Sequence, residues 1–452
     1  MEFVDLNRTQ EIGASSFWVK LGPFELIIDA GLSPKVAGHD ALPNWDKVEP
    51  GTIDAILLTH CHLDHVGGLP VLIRQQPQAA VFTSPASATL APRMLKNSHS
   101  VMFKQREELN ILEYPLFSST DIRVTEDKLR PLRTEKEITL HKNDETLSIT
   151  FHHAGHIPGA VGILLNYKNR KIFFTGDVLF EKQAILAGAK FPKGPFDTLV
   201  LETTRGATER PESLTRSSET HRLFEVIRNT LKNGGSCLIP SFALGRMQEI
   251  LTLLHQARST KEIPECPIIC SGLGMDLVDI LDTVAPGTPE ITFRRKIIKD
   301  LNVRKLPKKW TPGKKELKQG IYVLSSGMLV AKTPSYRVAA SLLGDKRNAI
   351  CFVGYCAPDT PGGQLLEASA NEPFLFEDLD LAPDLKAHVE QFDLSGHAQR
   401  DELLDYAHSV DPRSVVLTHG DPDARTWFEE QLAETLPKTK VINPTPGEAY
   451  LI

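Results

Sequence analysis

The sequence predicts an α/β protein of two domains, one inserted into the other. Three observations predict it. Six short apolar runs each stop abruptly at a His, Asp or Glu. The middle third repeats a strand-then-helix pattern of its own. The polar run ends lie on both sides of that middle third. The 452 residues suffice for two sizeable cores. The 41% hydrophobic and 24% charged content is that of a globular chain, so fibrous and disordered classes drop out. A net charge of −6 excludes wholesale coating of nucleic acid, though not a local basic strip. Six cysteines in a chain this long do not make a disulfide framework. The opening MEFVDLNRTQ lacks the charged head and apolar run of a signal peptide, and no apolar stretch approaches the roughly 20 residues needed to span a bilayer. The expectation is a cytoplasmic protein with reduced thiols and no membrane partner.

The apolar runs, taken in order, are FELIID ending at Asp29, IDAILLTH at His60, LSITFHHAGH at His156, KIFFTGD at Asp177, FDTLVLE at Glu202 and SVVLTH at His419. Runs of this length, rich in Ile, Leu, Val and Phe, read as buried strands. Strands that each carry such a residue at the C-terminal end gather them along one rim of a sheet, where ligand sites of α/β folds tend to lie. In the middle third, Ser236–Pro240 reads as a strand with a helix from about Leu244, and ECPIICSGLGMDLVDIL repeats that form. GIYVLSSGML and NAICFVGYCAPDTPGGQLL add two more such units, so residues 203–384 read as an α/β layer with a parallel sheet. The other domain is then 1–202 together with 385–452.

The densest chemistry is Thr59-His60-Cys61-His62-Leu63-Asp64-His65-Val66-Gly67-Gly68. His60 and His62 are two apart, so an extended strand end points both rings the same way. Asp64 and His65 follow in a turn into a helix, which can swing them to a second point. Imidazole and carboxylate are the usual ligands of zinc and similar first-row ions. One such motif cannot fill two coordination spheres, but His156, Asp177 and His419 at the other strand ends can complete them. His152 and His153 read as strand residues, and the remaining histidines have no comparable context.

HCHLDH, AGHIPGA, TGDV and the late LTHG resemble the metal motifs of the metallo-β-lactamase superfamily. Glu202 in LETT, His397 in LSGHAQR and His419 in LTHG resemble the extra motifs of its β-CASP branch of nucleases, as do IPSFALGRMQEIL, SSGML and FVGYCA. The resemblance runs from about Asp29 to Gly420. It implies an αββα sandwich with an inserted β-CASP domain. It also implies two zinc ions, with manganese as the other candidate: one on His60, His62 and His156, the second on Asp64, His65 and His419. Asp177 would bridge them beside a shared hydroxide, and Asp29 would orient ligands from behind. The implied reaction is hydrolysis of RNA phosphodiesters, because RNA-acting members carry His at the last motif. Asp64 would orient the hydroxide or accept its proton. His397, outside the ligand set, is the candidate general acid, with Glu202 holding its ring protonated. The catalytic set is thus Asp64, Glu202 and His397.

The chain departs from the branch at Arg205, where a Tyr often stands, in SSGMLVAKTP, which lacks a following Gly-Gly, and in LSGH, which replaces SAH. These departures bear on substrate shape more than on metal chemistry. Ser325-Ser326-Gly327 stands at a helix start and admits a phosphate contact or a plain cap, and Gly245-Arg246 heads another helix, where it meets phosphate or simply faces solvent. Residues 294–318 carry eleven Lys or Arg against Asp300 and Glu316, which reads as a solvated surface or as a nucleic-acid contact. RNA is the expected partner. A homodimer is allowed, and nothing in the sequence decides it. Two other functions compete: a hydrolase of small esters or thioesters, and a non-catalytic RNA-processing scaffold.

Overall fold

The structure, a computed structural model, describes every residue except Glu212, Lys308, Lys309, Lys314 and Lys315. Four of the eleven basic residues of the 294–318 stretch therefore lie outside the described residues. The chain divides into two compact units: residues 1–182, 187–210 and 397–452 form one, and residues 183–186 with 211–396 form the other.

The first unit holds two seven-stranded sheets. One runs, in spatial order, Ala449–Leu451, Glu2–Asp5, Phe17–Leu21, Phe24–Ile28, Ala55–Leu57, Ala80–Thr83 and Leu129–Pro131. Its first four strands pair antiparallel and the rest parallel. The other runs Lys440–Ile442, Ser414–Thr418, Thr198–Glu202, Arg170–Phe174, Val161–Tyr167, Glu145–His153 and Glu137–Lys142. Its first four are parallel and its last three continue as an antiparallel meander. In that meander Leu147, Ile149 and Phe151 alternate inward with period two. They meet Val19, Leu26, Ile28 and Leu57 of the first sheet in one buried core between the two sheets. The outer face of the second sheet, with Phe173, Leu199, Leu201 and Leu417, packs on Leu403, Ala407 and Val410 of helix Arg400–Val410 and on Phe428 and Leu432 of helix Pro422–Thr435. Thr198–Glu202 and Ser414–Thr418 are buried at every position, as expected for parallel strands covered on both faces. This is the expected sandwich.

The second unit is a wholly parallel sheet of six strands, in spatial order Arg304–Lys305, Ile268–Ser271, Ile321–Leu324, Cys237–Pro240, Ala349–Phe352 and His388–Gln391. Helices Arg216–Lys232 and Arg246–Ser259 cover one face through Leu223, Ile227, Ile250 and Leu254. Helix Pro334–Leu342 covers the other through Tyr336, Val338 and Ala339. The strand His388–Gln391, read from sequence as part of the sandwich, pairs with Ala349–Phe352 here instead. It is an edge strand whose HVEQ run has one apolar residue among three polar ones, so it carried no apolar-run signal. Among the described residues, no helix is long and apolar enough to cross a membrane.

Candidate metal centre

All six chemistry-bearing strand ends fall on one rim of the first unit. Asp29 follows Phe24–Ile28, His60 follows Ala55–Leu57, and His156 follows Glu145–His153. Asp177 follows Arg170–Phe174, Glu202 closes Thr198–Glu202, and His419 follows Ser414–Thr418. Two of these residues, Asp29 (φ 60°) and His419 (φ 47°), sit in the left-handed region that side chains rarely adopt, a conformation found preferentially at functional sites. The HCHLDH turn enters the one-turn helix Leu63–Val66 with His62 as its extended cap. Its backbone docks on the Asp29–Leu32 segment: Ala30 N donates to His65 O at 2.8 Å and Leu32 N to Leu63 O at 2.9 Å. Only glycine fits that approach, since a Cβ at Gly31 would fall 2.0 Å from the carbonyl oxygen of Asp64.

The side chains converge. Nε2 of His156 lies 3.2 Å from Nδ1 of His62. Asp177 Oδ2 lies 3.6 Å from His60 Nε2, 3.5 Å from His65 Nε2 and 3.7 Å from His156 Nε2. Asp64 Oδ2 lies 3.4 Å from His419 Nε2 and 3.8 Å from His65 Nε2. Donor atoms within 4.8 Å of one another group as His60, His62 and His156; as His60, His65 and Asp177; and as Asp64, His65 and His419. The same distance also gathers His397 with His156 and Asp177, and Glu202 with Asp177 and His419. Glu202 is already engaged: Oε1 accepts Val178 N–H at 2.6 Å, and Oε2 accepts the Thr204 hydroxyl at 2.5 Å and faces His397 Nδ1 at 3.0 Å.

Charge explains the cluster's chemistry. Burial, then the neighbouring imidazoles of His65 and His62, holds His60 well below its ordinary value, so its lone pair is available. Burial also lowers His62. Burial works to raise the carboxyls of Asp64 and Asp177, yet the facing His65 and His419 rings overcome it and hold both well below the usual carboxylate range. At His65 burial is overcome by Asp177, Asp29 and Asp64, and the ring is pushed up to about 10. Three carboxylates around one imidazole form a place for positive charge. Buried Nε2 of His60, His62 and His65 and Oδ1 of Asp177 have no hydrogen-bond partner. Buried polar atoms are ordinarily paired, so the orphaned Nε2 atoms of His60 and His65, both facing Asp177 Oδ2, fit a bound cation.

The supports behind the ligands were only partly legible. Asp29, expected to orient ligands, has Oδ2 at 2.8 Å from His65 Nδ1. Thr59 was not singled out, yet it donates both its N–H and its hydroxyl to Asp29 at 2.7 Å. Thr204 and Arg425 were missed too. Arg425, fully buried, donates through Nε to Gly420 O at 2.8 Å and bears on the turn that presents His419. The strand-end motifs LTH, FTGD, ETT and LTH all carry threonine, a residue too common at strand ends to mark a role by itself. His152 and His153 are buried strand residues, as read, with His152 Nδ1 on Glu135 at 2.8 Å and His153 Nε2 on Ala187 O at 2.9 Å. The six cysteines are free, as read.

A two-sheet sandwich with a His and Asp cluster on its rim, interrupted in sequence by a parallel α/β unit, defines a protein of the metallo-β-lactamase fold. Three family models match the chain: a metallo-beta-lactamase superfamily domain over residues 18–204, a Beta-Casp domain over 247–365 and a Zn-dependent metallo-hydrolase RNA specificity domain over 382–444. It is 30% identical over 448 residues to Ribonuclease TTHA0252 of Thermus thermophilus, covering 94% of each chain. It is 30% identical over 444 residues to Transcription termination factor FttA of Pyrococcus horikoshii, covering 92% of this chain and 66% of that one. A solved structure described as a protein of unknown function from Enterococcus faecalis matches with a TM-score of 0.58 at 11% identity, covering 100% of this chain and 99% of that one, a likeness of fold. The chain belongs to the β-CASP branch of the metallo-β-lactamase superfamily. That fold implies a divalent metal ion, and the residues present fit one.

Proposed function

We propose that this chain is a metal-dependent ribonuclease that hydrolyses RNA phosphodiester bonds, with two ions, zinc or else manganese. His60, His62 and His156 would hold one, Asp64, His65 and His419 the other, and Asp177 would reach both. When bound, such a pair lowers the pKa of a water molecule and offsets the charge that develops on the phosphoryl group. Asp64 would orient that water and accept its proton. His397 would protonate the leaving oxygen. RNA enters the proposal from the relatives' names and from the description of the 382–444 match.

The observation that carries this reading is the Glu202–His397 pair. The His397 ring centroid lies 4.4 Å from that of His156, so a proton donor stands against the ligand cluster. Burial lowers the His397 pKa, but the Glu202 carboxylate 3.0 Å from Nδ1 more than offsets it and the ring is raised. Glu202 faces Nδ1, and Nε2 would be the nitrogen that serves the leaving group. A hydrolase of small esters has no need of this pair, and a scaffold has no need of an intact ligand set.

The experiment sets labelled RNA on a denaturing gel beside a small-ester assay. RNA should be cut and the ester spared. His397→Ala should keep its metal while losing RNA cleavage by about 10²–10⁴-fold. On a phosphodiester with a 4-nitrophenolate leaving group, which departs without a proton, the variant should recover much of that loss. Equal loss on both substrates, or loss of metal, removes His397 from proton transfer.

A further inference from the structure

We propose that Thr204 is a positioning residue that fixes the tautomer and ring orientation of His419 and ties that ring to the Glu202–His397 pair. The inference rests on the metal-site reading above and deepens it. The Thr204 hydroxyl has one proton and three close neighbours: Glu202 Oε2 at 2.5 Å, His419 Nδ1 at 3.0 Å and His419 O at 3.1 Å. The carboxylate oxygen is the nearest and the strongest acceptor, so the proton goes there. The Thr204 oxygen can then meet Nδ1 favourably only as an acceptor, which requires hydrogen on Nδ1 of His419. Asp177 Oδ1 lies 3.3 Å from the same nitrogen without a hydrogen bond to it, and its negative charge also favours hydrogen there. That tautomer leaves the lone pair on Nε2, the nitrogen that faces Asp64 Oδ2 at 3.4 Å.

The backbone is held to the same end. Thr203 donates its hydroxyl to Thr418 O at 3.0 Å, and a Cβ at Gly420 would fall 2.1 Å from the Thr203 hydroxyl oxygen. Arg425 grips the carbonyl oxygens of Gly420 at 2.8 Å and Leu417 at 3.3 Å. The left-handed φ of 47° at His419 is therefore fixed from two directions. His65 differs, since its Nδ1 meets the Asp29 carboxylate directly at 2.8 Å. At His419 the Glu202 carboxylate is one hydroxyl further away, while the Asp177 carboxylate stands 3.3 Å from Nδ1 without forming a hydrogen bond. One carboxylate thus orients both rings, and Thr204 is what lets it reach the second.

The test titrates the chelator-stripped full chain with Zn²⁺ alone against a chromogenic competitor, and records the melting midpoint of the metal-free protein. Thr204→Val should bind one ion as the parent does and the second about 10–100-fold more weakly. Thr204→Ser, which keeps the hydroxyl, should restore the second site. Thr204→Ala repeats the measurement should the valine variant not fold. Two unchanged affinities overturn the proposal. So does a parallel loss at both sites together with the melting midpoint, which marks Thr204 as merely structural. A parent protein that takes up no second ion overturns the two-ion reading itself, a result distinct from either.

Discussion

Asp177 presents both carboxylate oxygens to ligand-type rings: Oδ2 lies within 3.7 Å of His60, His65 and His156, and Oδ1 lies 3.3 Å from His419. A group that touches both halves of the cluster should fail in both halves at once. Asp177→Asn keeps the shape but loses the charge and a ligand lone pair, so metal content by elemental analysis should fall at both positions. Two ions per chain in that variant would refute the bridging role. At this scale the sequence was most legible where residue types are restrictive. Three histidines and an aspartate within six residues have few uses other than coordination. Threonine is common at strand ends, so nothing separated Thr59 and Thr204 from ordinary strand residues until Asp29, Glu202 and His419 were seen against them. Arg246 illustrates the converse. Its place at a helix start suggested phosphate or solvent, but it is 8% exposed and lies 3.9 Å from Glu249.

Helix Arg246–Ser259 is anchored by that same Glu249. Its Oε1 accepts from Arg216 Nη2 at 3.0 Å and from Ala184 N at 3.3 Å, so one carboxylate joins the helix to helix Arg216–Lys232 and to the 183–186 segment. Burial, and next the Arg216 guanidinium, pulls Arg246 down to about 10, against Glu249 and Asp393. Glu249 therefore offsets the charge of two buried arginines. Glu249→Ala should cost about 3–5 kcal/mol, because it removes the buried carboxylate that faces both. The check is urea unfolding, where a midpoint equal to the parent's would show that Glu249 does not anchor the helix. Elements were legible in proportion to burial. The central strands Cys237–Pro240, Ile321–Leu324 and Ala349–Phe352 are buried at every position and stood out as apolar runs. The strands Lys440–Ile442, Ala449–Leu451 and His388–Gln391 lie at sheet edges, mix polar with apolar residues and did not. The last of these sets where the second unit ends, which is why the sequence boundary at 384 falls short of 396.

Over the whole molecule the charge is −6, yet the 294–318 stretch is strongly positive, and its described residues Lys299, Arg304 and Lys305 are exposed. Two physical accounts compete for them. Arg304–Lys305 is the edge strand of the six-stranded sheet, and cations on an edge deter pairing with another chain whether or not RNA binds. Alternatively they meet the substrate backbone, as a lone basic block in an acidic protein would. Arg295 is a poor probe, being paired with Asp279 at 2.8 Å. The salt dependence of binding separates the two accounts, because only neutralised phosphates release counterions. If the block binds RNA, reversing Lys299, Arg304 and Lys305 to Glu should weaken RNA affinity. It should also flatten the log–log salt slope by about 0.7 for each phosphate of a single strand that is no longer neutralised. Hydrolysis of a small activated phosphodiester should stay unchanged, since none of the three residues belongs to the metal cluster. Equal RNA affinity at low and high salt would assign them to edge protection alone, and the substrate's charge would then have to be met by other residues.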